Sequence, residues 1–313
     1  MKNATLYFHF PCFDGLVSCV LAWDFLERRK AWTIEGFEPV NYDVRQTWLS
    51  AGLKIPCGVV DFLYHPSAEF WADHHQTAFL TPEAKADFCE RRSSAILLYD
   101  DLAGSCASLL YRNLQEDAPG RPHFPEMVEW AEKIDSARYA SVQEAILGEA
   151  PALQINRSLL QTNGPEYGRF LLKALREHDL GQVAGLSEVK LRHDEVLRRT
   201  LAGLKQVEKR LRVAPGGIAT FEAEKNQDEI INRYAAYHFV PTARYSIGVI
   251  RSDEGTAITA MRNPWLEFPS IPLGRIFEKF GGGGHQRVGS VLIPKNQGQH
   301  VPDVVESLLS QMS

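Results

Sequence analysis

Apolar runs of two different periods alternate along the first part of the chain. The segment "ATLYFHF" (4–10) reads as a strand, and "DGLVSCVLAWDFLERR" (14–29) carries its apolar residues at helical spacing. The run "CGVVDF" (57–62) is short, continuous and β-branched, as in strands buried on both faces of a parallel sheet. Strand, helix and strand in that order imply βαβ units and an α/β fold. Helical spacing returns in "GSCASLLYRNL" (104–114), "PEMVEWAEKID" (125–135) and a long polar stretch, 186–212, where Leu186, Val189, Leu197, Leu201, Leu204 and Leu211 fall at helical intervals of three, four, seven or eight. The pattern then changes: "APGG" breaks the helix, and "GIATFEA", "ARYSIGVIR" and "TAITAMR" alternate as strands before "GGGGH" and a final helix. The expected organisation is a parallel-sheet domain with flanking helices over 1–185, a helical linker over 186–214, and a smaller α/β domain with a mixed sheet over 215–313.

Composition narrows the class. With 313 residues, 44% hydrophobic and 10% aromatic, the chain can bury a sizeable core split over two domains. No window approaches the roughly 18 consecutive apolar residues of a membrane span, and the N-terminus enters a strand without a signal pattern, so a cytoplasmic location and no membrane partner are expected. Five cysteines, Cys12, Cys19, Cys57, Cys89 and Cys106, are odd in number and lack paired CxxC spacing, which predicts reduced thiols. A net charge of −5 argues against an extended basic groove for a long nucleic acid. An anionic substrate should be small, or held by metal.

Ligand-type residues collect in order: His9, Cys12 and Asp14, then Asp61, then Asp73, His74 and His75, then Asp135. The first three groups sit at or just beyond strand C-termini, the edge along which open parallel sheets build sites. Asp and His together favour divalent ions such as manganese or magnesium, and one carboxylate can bridge two of them. Several ionisable groups at one edge would otherwise repel or desolvate one another. The arrangement suggests a two-metal hydrolase.

The tripeptide Asp73-His74-His75, with Asp61 before it, Asp135 after it and "FGGGGHQRVGS" at Phe280–Ser290, resembles the DHH phosphoesterase superfamily, in the branch with a GGGH-containing C-terminal domain that includes oligoribonucleases and adenosine-bisphosphate phosphatases. The motifs run from His9 to Ser290, nearly the whole chain. The resemblance implies two manganese ions in the N-terminal domain, with the substrate in a cleft closed by the C-terminal domain. His9, Cys12 and Asp61 would surround one ion; Asp14, Asp61, His74 and Asp135 would surround the other, with Asp61 bridging. His75 would face the substrate as a catalytic group, and Asp73 would fix the tautomer of a neighbouring histidine. Arg262, Gly282, Gly283, Gly284 and His285 would bind substrate phosphate. Cys12 departs from the commoner aspartate: as a thiolate it would favour zinc or iron, and otherwise it packs beside the site. Gly104 and Ser105 resemble the family's helix start, which an N-cap serine also explains. His65, His123, His178 and His238 read as packing or surface residues, and Trp71 as core.

The implied activity is hydrolysis of phosphoester or phosphodiester bonds in a small nucleotidic substrate, a short oligoribonucleotide, dinucleotide or adenosine bisphosphate, by an enzyme that is hydrolase, phosphodiesterase and nuclease alike. The alternatives are a phosphoanhydride hydrolase acting on pyrophosphate or polyphosphate, and a catalytically weakened nucleotide-binding regulator, which Cys12 suggests. A homodimer is compatible with either.

Overall fold

A computed structural model describes residues 2–114, 121–161, 164–284 and 286–312. Its first strand, β1 (Lys2–His9), is buried from Ala4 to Tyr7 and on through Phe8, and hands over through Phe10, Pro11 and Cys12 to α1 (Phe13–Lys30). β2 (Trp32–Val40), β3 (Cys57–Val60), β4 (Phe70–Asp73) and β5 (Ile96–Tyr99) follow, with α2 (Pro82–Arg91) before β5 and α3 (Cys106–Leu114) and α4 (Phe124–Asp135) after it. Among the described residues these strands form one sheet in the order β2-β1-β3-β4-β5, every pair parallel. Neighbouring residues serve opposite faces, as the two-residue repeat of a strand requires. Leu6, Phe8, Val60, Phe70 and Ala72 join the core packed under α1, α3 and α4, while Tyr7, Cys57, Val59 and Trp71 join a second core with Trp48, Phe62 and Phe88. Trp71 is buried, as expected, and its Nε1 donates to Phe62 O at 2.9 Å.

The short helices α5 (Val142–Leu147), α6 (Pro151–Ser158), α7 (Pro165–Glu177) and α8 (Leu180–Ala184) lead to the long α9 (Ser187–Arg210). The remaining elements are β6 (Arg212–Ala214), β7 (Ile218–Glu224), α10 (Ala235–Phe239), β8 (Tyr245–Arg251), β9 (Gly255–Arg262), α11 (Leu273–Glu278), β10 (Gly283–Gly284), β11 (Val288–Pro294) and α12 (Val301–Met312). Their sheet runs β10-β11-β9-β8-β7-β6, with β7 and β8 parallel and the other pairs antiparallel, hence mixed. The α/β class and both sheet types agree with the sequence reading.

Two compact units divide the chain, Met1–Arg138 with Glu149–His193 and Tyr139–Gly148 with Asp194–Ser313. These limits depart from the expected 185 and 215. The helix α9 is no free linker: Val189 packs into the core of the first unit, Leu204 and Val207 into that of the second. The detour 139–148 belongs to the second unit because Ile146 lies in its core and Tyr139 O accepts from Trp265 Nε1 at 3.0 Å. Among the described residues no helix is long and apolar enough to cross a membrane.

Gly15 sets the junction that matters for the site. A Cβ there would lie 2.1 Å from His9 O, so the first turn of α1 rests on the backbone at the end of β1. That close approach fixes the turn that carries His9, Cys12 and Asp14. Gly15→Ala should therefore destabilise the protein by about 1–3 kcal/mol through overpacking. Urea unfolding should show a lower midpoint, with Gly52→Ala as control, since nothing lies within 4 Å of a Cβ at Gly52. An unchanged midpoint in Gly15→Ala would contradict the junction.

Candidate metal centre

Asp61 follows β3 with φ 55°, a left-handed backbone that a non-glycine residue adopts at a cost of about 1–2 kcal/mol. Its amide donates to Ala72 O at 2.9 Å, which holds the turn against β4. The side chain is fully buried, yet neither carboxylate oxygen has a hydrogen-bond partner. The two oxygens face different groups. Oδ2 lies 3.4 Å from His9 Nδ1, and Oδ1 lies 3.7 Å from His74 Nε2. Both of those nitrogens are also buried without a partner. Unpaired buried polar atoms facing one another are what a cation site looks like before its ion is considered, because each would otherwise lose the free energy of its lost hydration.

Among the described residues three donor sets emerge, each with its ligand atoms within 4.8 Å of one another: His9, Cys12 and Asp61; Asp14, His74 and Asp135; and Asp61, His74 and His75, which shares members with both. The first two follow the division that the family resemblance implies, and Asp61 stands between them. His74 Nε2 lies 3.3 Å from Asp135 Oδ2 and 3.7 Å from Asp14 Oδ2.

Three of the donors, His74, Asp14 and His75, are tied down from behind. His74 Nδ1 sits 3.1 Å from Ala103 O, so it carries the proton and leaves Nε2 as a lone-pair donor. Asp14 accepts the amides of Cys106 at 2.7 Å and Ala107 at 2.8 Å, the first turn of α3, where the helix dipole favours a negative charge. Ser105 starts that helix, its Oγ accepting from Ser108 N at 3.0 Å, so the N-cap explanation is sufficient for this serine. Asp73 Oδ1 accepts from the amide of His74 at 2.8 Å and meets His75 Nδ1 at 2.7 Å. It thereby fixes the His75 tautomer with Nε2 free, on a side chain 30% exposed.

Electrostatics follow from this crowding. Burial, then Asp14, Asp135 and Asp73, push the Asp61 carboxyl well above the usual range. Burial and then Asp14 raise Asp135 to about 6 against the pull of His74 and His75. Burial and then the neighbouring His75 lower His9 to about 4. Burial opposes charge on His75, but the hydrogen bond and charge of Asp73 outweigh it and its pKa rises. The Cys12 thiol is pushed up by burial and then by Asp61, Asp14 and Asp135. Without a cation, burial and the neighbouring carboxylates push Asp61 and Cys12 toward their protonated forms.

Tyr42 is the residue that sequence reasoning missed. Its ring meets His9 edge-on at 5.1 Å and His75 at 6.3 Å, and leans on Phe62 at 5.2 Å. It lies two residues beyond β2, a strand the reading did not single out, so nothing marked it. In the second unit, Arg262 is 6% exposed, donates to Asn263 O at 3.0 Å and Phe268 O at 3.2 Å, and stacks on the Phe268 ring. Its charge is thus engaged by its own loop. Gly282 and Gly284 have a structural reason too: a Cβ on either would lie 2.2 Å from a carbonyl oxygen of β11. A Cβ on Gly283 would meet nothing within 4 Å. His285 lies outside the described residues.

No protein-family model matches the chain, and no curated protein matches it in sequence. Solved structures do match. The pGpG-specific phosphodiesterase PggH of Vibrio cholerae superposes with TM-score 0.77 at 18% identity, covering 100% of this chain and 99% of that one. RecJ of Thermus thermophilus in complex with Mn2+ gives 0.57 at 11% identity, over 100% of this chain and 52% of RecJ, so the chain spans about half of that protein. An exopolyphosphatase-related protein of Bacteroides fragilis gives 0.52 at 15%, over 99% and 92%. The chain shares the fold of the pGpG-specific phosphodiesterase and of RecJ. At these identities the fold is what is shared.

A divalent cation should stabilise the protein by an amount that grows with pH. In the cation-free fold Asp61 and Asp135 keep protons that an unfolded aspartate, with its ordinary value of 3.8, has released, so they reduce stability as pH rises from about 4. His9 runs the other way between its folded value of about 4 and the ordinary 6.5, adding stability as pH rises. Bound cation replaces the protons on the carboxylates and leaves His9 neutral, so its affinity rises with pH. Thermal melts with manganese against chelator should show a small Tm shift at about pH 5 and a larger one at about pH 7.5. A shift independent of pH would contradict the site.

Proposed function

We propose that the protein is a metal-dependent phosphoesterase that hydrolyses a phosphoester or phosphodiester bond in a small nucleotidic substrate, a linear dinucleotide first among them. The observation that carries this reading is Asp61: fully buried, strained, unpartnered at both oxygens, and flanked on its two sides by complete donor sets. His9, Cys12 and Asp61 would hold one ion and Asp14, Asp61, His74 and Asp135 the other. When bound, two divalent ions supply an acidified water for in-line attack on phosphorus and positive charge for the phosphate oxygens. The protein's own part is positional. His74 is fixed by Ala103 O and Asp14 by the amides of α3. His75, its Nδ1–H held by Asp73, offers Nε2 to the substrate, where it can orient the phosphate or move a proton to the leaving oxygen. The likeness to a pGpG-specific phosphodiesterase along the whole of both chains supports a dinucleotide, and the likeness to an exopolyphosphatase-related protein makes a phosphoanhydride the competing substrate. A cytoplasmic location belongs to the same proposal, since the substrate is nucleotidic.

The test is a hydrolysis panel on manganese-loaded protein with bis-p-nitrophenyl phosphate, linear dinucleotides, adenosine bisphosphate, pyrophosphate and polyphosphate. Cleavage of a dinucleotide or bisphosphate is expected, and cleavage of anhydrides alone would overturn the reading. Asp61→Asn, which tolerates the left-handed backbone, should keep the fold and lose both bound metal and turnover. His75→Ala should lower kcat by roughly 10²–10⁴-fold with metal content intact, and Asp73→Asn by about 10–100-fold.

A further inference from the structure

We propose that the centre is a mixed-metal one, in which the position formed by His9, Cys12 and Asp61 takes a thiophilic ion, zinc or ferrous iron, and the position formed by Asp14, Asp61, His74 and Asp135 takes a hard ion such as manganese or magnesium. The inference rests on the metal-centre reading above and deepens it. Two observations carry it. The donor atoms of His9, Cys12 and Asp61 lie within 4.8 Å of one another, and those of Asp14, His74 and Asp135 do likewise. Asp61 divides between them, Oδ2 being 3.4 Å from His9 Nδ1 and Oδ1 3.7 Å from His74 Nε2, all four atoms buried and unpartnered. One position therefore offers sulfur, nitrogen and oxygen, and the other three carboxylates and one imidazole. Thiolate selects zinc and iron, whereas carboxylate suits magnesium and manganese. Zinc outcompetes manganese at almost any nitrogen or oxygen site, so raw affinity does not separate the two positions. The ratio of zinc to manganese affinity does, and Cys12 raises that ratio at one position only.

Three features place Cys12 at the centre and not merely near it. The residue precedes α1 and shares the turn that Gly15 presses onto His9 O. Its sulfur is grouped with a histidine nitrogen and a carboxylate oxygen that lack any other partner. The opposite position is complete without it, since Asp14, His74 and Asp135 form their own set.

The experiment uses the full chain, stripped with chelator and reloaded with cobalt(II). A thiolate-to-cobalt charge-transfer band in the near ultraviolet is expected, with zinc abolishing it before manganese does. Reloading with one equivalent of zinc and a large excess of manganese should give one of each per chain, the zinc at the Cys12 position. X-ray absorption at the zinc edge should show one sulfur at about 2.3 Å. Cys12→Asp, or Cys12→Ser if the first fails to fold by circular dichroism, should lose the band, retain bound cobalt, and lower the zinc-over-manganese preference by roughly tenfold or more. Asp135→Asn should keep the band while binding less manganese. Cobalt bound without a band overturns the mixed-metal assignment and leaves the metal centre standing; no cobalt bound at all overturns the metal centre itself. Loss of the band in folded Asp135→Asn would overturn the division into two positions.

Discussion

The fold converges on one electrostatic problem: carboxylates and imidazoles gathered at the C-terminal edge of a parallel sheet, with Asp61 at their centre and no hydrogen bond to either of its oxygens. Ligand oxygens of Asp14 and Asp135 lie within 4.8 Å of each other. Two unit negative charges at that separation repel by roughly 3–4 kcal/mol at an effective dielectric of about 20. Against a net stability of about 5–15 kcal/mol for a whole domain, that is a large fraction, and Asp61 adds to it. Two remedies exist. Protons can neutralise the carboxylates, which is what the raised pKa values of Asp61 and Asp135 describe, or divalent cations can. The proposed function takes the second.

The surroundings of the cluster are organised so that the strain is not relieved by collapse. Each of three side chains is restrained from behind by a neighbouring group: His74 by Ala103 O, Asp14 by the amides of Cys106 and Ala107, His75 by Asp73. Such partners hold tautomer and orientation while leaving the forward lone pairs free. The helix start at α3 has a double use, capped by Ser105 and presenting its free amides to Asp14. Gly15 completes the scheme, because any side chain there would displace the end of β1 and His9 with it.

Much of this was legible in the sequence, for a physical reason. His9, Asp14, Asp61, His74 and Asp135 are ionisable residues at the ends of apolar runs, and the alternation of strand and helix alone sends strand ends to one edge. The strands β2, β4 and β5 were less legible. The last two span four residues each, too few to show a period, and β2 carries a register shift opposite Ala4 and Thr5 that breaks its alternation. Tyr42 was hidden with β2. The unit limits escaped because periodicity describes one helix, α9, without saying that its two ends are buried in different cores. Arg262 reads on the resemblance as a phosphate-binding residue, with a surface arginine as the alternative; it is buried and donates to two backbone carbonyls, which no pattern of spacing announces.

Functional explanation is needed where the fold supplies none, and that criterion treats the two units differently. In the second, the glycine run is largely explained by backbone pairing: Gly283 faces Ser290 and Gly284 faces Gly289 across β10 and β11, and side chains at 282 or 284 would strike β11. Within this stretch of β10, Gly283 has open space at its missing Cβ, so its identity is something that pairing does not require. In the first unit Asp61, His9 and His74 are among the described residues whose buried polar atoms lack a partner, and theirs face one another at the sheet edge. The proposed divalent cations would offset the destabilisation that such unpartnered burial brings, since these donors, at this edge of the sheet, are matched by positive charge.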